Sequence, residues 1–198
     1  MDNLKPVALY SSSIKIRWCL TVLVALVVLM LGVMATGNTA RAEDKEKKRF
    51  VDNGDGTITD RQSGKMWEKK VDGGGIVGLT TCLSAPHDVN TRCTWDEAMR
   101  DWIETVNAEG GSGYAGYNDW RVPTVGELQD ILMARPPDVC PSPCIDPVFG
   151  PTATSVYWSS TTDPKDSSLA GLVLFGIGDV IFDDKSNDTR VRAVRGGP

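Results

Sequence analysis

Thr94-Trp-Asp-Glu-Ala-Met-Arg-Asp-Trp-Ile-Glu-Thr-Val106 and Thr124-Val-Gly-Glu-Leu-Gln-Asp-Ile-Leu132 are the stretches that decide the class of fold. Each opens with threonine followed three residues later by glutamate, the capping box in which two side chains satisfy backbone N–H groups at a helix start. In the first, Trp95, Ala98, Met99, Trp102, Ile103 and Val106 recur at helical spacing until Gly110-Gly-Ser-Gly113 ends the pattern. In the second, Val125, Leu128, Ile131 and Leu132 form one apolar face and Pro136-Pro137 stops it. The spacing predicts two amphipathic helices, the first of about three turns, whose apolar faces belong to the core.

Outward from these helices the pattern changes to strands on both sides. Before them, Asp52-Asn-Gly-Asp-Gly56 precedes Thr57-Ile-Thr59, and Gln62-Ser-Gly64 precedes Lys65-Met-Trp67. Asn-Gly and Asp-Gly accept the positive φ of tight hairpins, so this region reads as short strands joined by turns. After them, residues 136–151 are Pro-rich and without period, which predicts a long loop. Strands are then expected at Val156–Ser159, Leu169–Phe175, Val180–Asp183 and Thr189–Arg195. Antiparallel strands at both ends, two helices between them and long loops describe an α+β domain rather than a parallel α/β sheet.

Composition sets the compartment. Six Trp, 20 Gly and 11 Pro in 198 residues exclude a disordered, collagenous or coiled-coil chain. A net charge of −5 argues against nucleic acid as a partner, because counterion release needs clustered Lys and Arg. Lys5, Lys15 and Arg17 precede an apolar stretch from Trp18 to Ala35, and Ala40-Arg-Ala42 offers the small residues of a cleavage site. Residues 1–42 therefore read as a signal peptide cut after Ala42, the alternative being an N-terminal membrane anchor left in place. Residues 43–49 are a charged leader, and 50–198 form the domain. The leader to residue 42 carries four of the 21 basic residues and one of the 26 acidic ones, leaving 17 and 25 and a mature net charge of −8. Its removal also leaves four of the five cysteines: Cys82, Cys93, Cys140 and Cys144. In an oxidising compartment these read as two disulfides, and pairing Cys82 with Cys93 and Cys140 with Cys144 closes the shortest loops. Zinc is disfavoured by a single histidine, and no metal or other cofactor is expected.

The catalytic inventory is thin. His87 stands in the first cysteine loop and reads as an exposed loop histidine, with no nucleophile motif beside it. Asp183 and Asp184 are adjacent on a strand and point to opposite faces, so they make no acid–base pair. Arg190 and Arg192 share a face and are expected to pair with Asp183 or Asp184. The Asp-Asn-Gly-Asp-Gly turn, set on a calcium loop, puts Val51 and Gln62 where carboxylates are needed. The chain does not read as an enzyme.

Six blocks in order carry a family resemblance: Arg49-Phe-Val-Asp-Asn-Gly-Asp-Gly-Thr-Ile-Thr-Asp60, Ser63-Gly-Lys-Met-Trp67, Thr94-Trp-Asp-Glu-Ala98, Gly116-Tyr-Asn-Asp-Trp-Arg-Val-Pro-Thr124 with Glu127-Leu128, Tyr157-Trp-Ser-Ser-Thr161 and Val191-Arg-Ala-Val-Arg-Gly-Gly197. Together they resemble the C-terminal domain family of the Legionella collagen-like protein. The resemblance implies a C-type-lectin-like fold in an exported domain, periplasmic, cell-surface or extracellular. The family's namesake is an adhesin for sulfated glycosaminoglycans; the mature charge of −8 here weakens that ligand. Similar sequences carry cysteines in the first helix and the final strand, where this chain has Trp102 and Ala193, which are therefore expected close together. Ligands of this fold class are met by long loops, here residues 135–155 and 161–168. Asp163, Lys165 and Asp166, with Asp183 and Asp184 at the same edge, are the expected ligand contacts. The expected role is a non-catalytic, adhesin-like binding module for a glycan or an envelope protein, with a structural subunit of an envelope complex as the alternative.

Overall fold

Three short strands begin the domain: β1 (Phe50–Asp52), β2 (Thr57–Asp60) and β3 (Met66–Glu68), paired antiparallel in sequence order. The computed structural model describes residues 48–73, 82–136 and 138–196, so the expected signal peptide or anchor and most of the charged leader lie outside the described residues. The β1–β2 turn is built by its own acids: Asp52 accepts from the Gly54 N–H at 3.0 Å and Asp55 from the Thr57 N–H at 3.0 Å. Gly56, at φ +89°, lets the chain pass so close to Tyr114 that the tyrosine hydroxyl donates to the Gly56 carbonyl at 2.6 Å.

A second sheet holds β4 (Arg92–Cys93), β5 (Val156–Thr162), β6 (Leu169–Leu174), β7 (Asp179–Asp184) and β8 (Thr189–Arg190) in the order β4-β8-β5-β6-β7. Among the described strands of this sheet β5 and β8 pair in parallel and the other pairs are antiparallel. The single final strand expected over Thr189–Arg195 is broken in two. β8 closes onto β4 and β5, whereas β9 (Val194–Arg195) crosses to the first sheet and pairs with β3. Between them Arg192 is buried and donates to the Glu68 carbonyl at 2.7 Å.

The first helical stretch runs through α1 (Trp95–Glu97), a π-helical turn (Ala98–Trp102) and α2 (Ile103–Ala108). Its buried residues, Ala98, Trp102 and Val106, are spaced by four. An ordinary α-helix drifts about 40° over each such step, and the wider π turn keeps the three in line. The second helix, α3 (Val125–Asp130), stops before the expected apolar pattern does, because Leu132 leaves it to bridge Ile145. Both capping boxes form. Gly171 of β6 lets α3 lie on the sheet: a Cβ there would stand 2.5 Å from a Val125 methyl.

Two buried clusters result. One gathers Trp102, Trp120, Trp158, Leu172, Cys93 and Ala193, so the two positions expected close together share a cluster. The other gathers Trp67, Leu128, Ile131, Phe149, Tyr157, Val173 and Phe175. Disulfides join Cys82 to Cys93 and Cys140 to Cys144. The architecture is α+β and mostly strand, with one main helix.

Candidate functional site

The expected contact residues do meet at one end of the second sheet. Asp163, Lys165 and Asp166 occupy the turn between β5 and β6, and Leu169, which follows that turn, pairs with Asp184. The Lys185 N–H donates to the Ser168 carbonyl at 3.0 Å, which draws the two turns together. Their carboxylates, however, shape those turns. Asp163 accepts from the Lys165 N–H at 2.8 Å, and Asp166 accepts from the Ser168 N–H and hydroxyl at 2.9 and 2.6 Å. Asp184 accepts from the Ser186 N–H at 2.8 Å, and Asp183 from its neighbour's N–H at 2.9 Å and the Asn187 amide at 3.0 Å. The Ser168 and Ser186 hydrogen bonds hold Asp166 and Asp184 below the usual carboxylate range.

The expectation that Arg190 or Arg192 pairs with Asp183 or Asp184 is corrected. Arg190 Nε donates to the Val89 carbonyl at 3.2 Å. Arg192 is fully buried and donates to the Glu68 and Phe149 carbonyls and the Thr152 hydroxyl. Both guanidiniums thus find partners away from the acidic turns, Arg190 from within β8 and Arg192 from the break that follows it.

An open groove of about 450 Å³ lies elsewhere, where the region around the β2–β3 turn meets the C-terminal end of α3. Arg49, Gln62 and Ser63 line it from the first region, and Gln129, Asp130, Met133 and Arg135 from the second. Its two guanidiniums are held in place. Arg49 grips Asp60 with Nε and Nη2 at 2.9 and 2.8 Å, while Arg135 reaches Asp130 at 2.7 Å and the Gln129 carbonyl at 3.2 Å. Burial would raise the Asp60 carboxyl, but Arg49, the Ser63 hydroxyl and the Gln62 N–H together hold it below its ordinary value. Met133 is 54% exposed and offers an apolar wall beside these polar groups. Sequence reading missed this groove because its halves lie far apart in the chain and each looks like turn or helix-end chemistry alone.

A third concentration of chemistry is buried. Glu68 of β3 is inaccessible, and one carboxylate oxygen takes the Lys70 ammonium at 2.8 Å and His87 Nδ1 at 2.7 Å. The other accepts the Ala193 N–H at 2.8 Å. Burial works to raise the Glu68 carboxyl, yet Lys70 and His87 pull it down to about 2. Lys70 also donates to the Pro86 carbonyl at 3.0 Å, an acceptor shared with the Trp102 indole. His87 is not the exposed loop histidine expected. Its Nε2 meets Glu109 at 2.9 Å, and its ring stacks on Tyr114 with centroids 3.9 Å apart. Burial opposes the charged ring, but Glu68 and Glu109 outweigh it and raise the imidazole above its usual value. A carboxylate at each ring nitrogen favours the imidazolium form, in which both nitrogens donate.

Among the described residues no group of three or more His, Cys, Asp or Glu side chains is arranged to hold a metal ion, and no helix is long and apolar enough to cross a membrane. A search of curated proteins finds no significant match. The family model described as the Lcl C-terminal domain matches residues 56–195, which covers both sheets from β2 onward, both helical regions and the groove lining apart from Arg49. The chain therefore belongs to the Lcl C-terminal domain family.

Proposed function

We propose that the domain is an exported, non-catalytic binding module of a bacterial envelope or surface, C-type-lectin-like in fold, that recognises a glycan in the groove between Arg49, Gln62 and Arg135. The observation that carries this reading is the groove's lining. Amide and guanidinium donors with an adjacent carboxylate suit the paired donors and acceptors of sugar hydroxyls, and Met133 offers apolar surface to a sugar face. The volume falls within the range of about 300–1,000 Å³ common to small-ligand sites. The two disulfides are compatible with export. The non-catalytic reading is supported by the engagement of His87, whose two nitrogens both face carboxylates.

A glycan array probed with the mature domain, beside a pull-down from envelope extract, tests the proposal. Binding should be lost in the double variant Gln129→Ala, Arg135→Ala and kept in the triple variant Asp163→Ala, Lys165→Ala, Asp166→Ala. Loss in the triple variant alone would move recognition to the acidic sheet end, and an array without any bound glycan would overturn the glycan assignment.

A further inference from the structure

β7 closes one side of the second sheet, and its register fixes which of its main-chain groups face outward. The Lys185 N–H donates to the Ser168 carbonyl, so these two form a hydrogen-bonded pair. By the alternation of an antiparallel ladder, Asp183–Ala170 and Ile181–Leu172 are hydrogen-bonded pairs too. The N–H and C=O groups of Val180 and Phe182 therefore point away from β6, toward an edge that no strand covers among the described residues.

Exposed edges invite pairing with another chain and are commonly blunted by proline, a bulge or a lysine on the strand. β7 has none of these: its sequence is Asp179-Val-Ile-Phe-Asp-Asp184, and its register with β6 is unbroken over six residue pairs. Lys185 follows the strand, but its ammonium is turned inward to the Thr162 hydroxyl at 2.9 Å and over the Trp95 ring at 3.9 Å. Ile181 and Phe182 are each 43% exposed, and alternation puts one on each face of the sheet. Apolar surface is thus available above and below the free main-chain groups.

The ends of the strand select the occupant. Asp179 stands at one end and Asp183 and Asp184 at the other, Asp179 and Asp184 being about 17 Å apart at ordinary strand rise. A second copy pairing antiparallel about Ile181 would set Asp179 against the other copy's Asp183, a like-charge cross-strand pair. The net charge of the chain also disfavours self-association. We propose that β7 is the docking edge for an extended segment of a partner protein, apolar at its centre and basic at both ends, which joins the five-stranded sheet as a sixth strand. Main-chain hydrogen bonds at Val180 and Phe182 would supply its affinity and the acidic ends its polarity. This edge is separate from the groove, so the proposal stands or falls independently of glycan binding.

The test uses the mature domain and a synthetic peptide of about eight residues with alternating valine and threonine between lysines at each end. Hydrogen exchange of the domain with and without peptide is read by NMR, and affinity by fluorescence anisotropy. The Lys-ended peptide should slow exchange at Val180 and Phe182 and bind at least roughly tenfold more tightly than a Glu-ended peptide, with the difference shrinking in added salt. N-methylation of alternate peptide amides should abolish binding, and Asp179→Lys, confirmed folded by circular dichroism, should reduce it. Equal affinity for both peptides, protection elsewhere on the domain, or no binding by either peptide would overturn the proposal; the last outcome would assign the aspartates to guarding the edge against aggregation.

Discussion

Replacing Glu68 by glutamine keeps the side chain's shape and removes the charge that holds the buried cluster together. Glu68 and the Lys70 side chain are 0% and 1% exposed, with ammonium and carboxylate 2.8 Å apart. At an effective dielectric of about 20, a pair at that distance attracts by about 6 kcal/mol before desolvation is counted. Desolvation offsets much of this in the intact pair, but removing one partner leaves the other charge buried, at a cost of about 3–5 kcal/mol. In Glu68→Gln the amide oxygen can still face Lys70 and His87 but carries no charge to offset theirs, and the NH₂ is then set against the Ala193 N–H; the flipped amide sets its NH₂ against both cations. Domain stabilities are about 5–15 kcal/mol, so the loss is a large fraction of the total. Urea unfolding with both disulfides intact should show that loss, and Tm should fall by about 6–20 °C. A loss below about 1 kcal/mol would refute the reasoning. The double variant Glu68→Leu, Lys70→Met should recover part of the loss, since it removes both charges.

The same cluster sets a pH window. The folded imidazole of His87 is raised above its ordinary 6.5, so its contribution is complete below that value and is lost as pH rises through the folded value. Glu68 is depressed from 4.5 to about 2, so its contribution is complete above about 4.5 and is lost as pH falls toward about 2. Urea midpoints should therefore be highest between the two, and His87→Gln should remove the alkaline limb; an unchanged limb in that variant would count against His87. Gly56→Ala forces a left-handed φ on a residue with a Cβ and drives it into the Tyr114 hydroxyl, so stability should drop by about 1–3 kcal/mol; unchanged thermal unfolding would contradict the close approach. Replacing Cys82 and Cys93 together by serine should cost about 3 kcal/mol in urea unfolding, whereas intact-mass analysis that finds free thiols in the oxidised mature protein would contradict both bridges.

The two capping boxes, the hairpin turns and the local cysteine pairing were legible because each is set by residues close in sequence. The same holds for the α+β class, which follows from the order of apolar periodicities. What was hidden depended on long-range partners. Arg192 reads as one more strand residue until β8 and β9 part to different sheets, and its partners there, the carbonyls of Glu68 and Phe149, lie far away in the chain. His87 looks like a solvated loop residue because its two carboxylates lie 19 and 22 positions away. The acidic residues at the sheet end were recognised and their convergence was anticipated from strand ends, but their roles in Asx turns depend on local backbone geometry. The groove was legible only in part: Arg135 opens one of the two loops expected to meet ligand, whereas Arg49 belonged to a charge run and Gln129 to a helix.

The most direct test of the binding-module account is NMR chemical-shift mapping of the mature domain titrated with the strongest glycan from the array. The account predicts saturable shifts centred on Gln62, Gln129 and Arg135, with the Asp163–Ser168 turn unmoved; shifts centred on that turn, or none at saturating glycan, would contradict it.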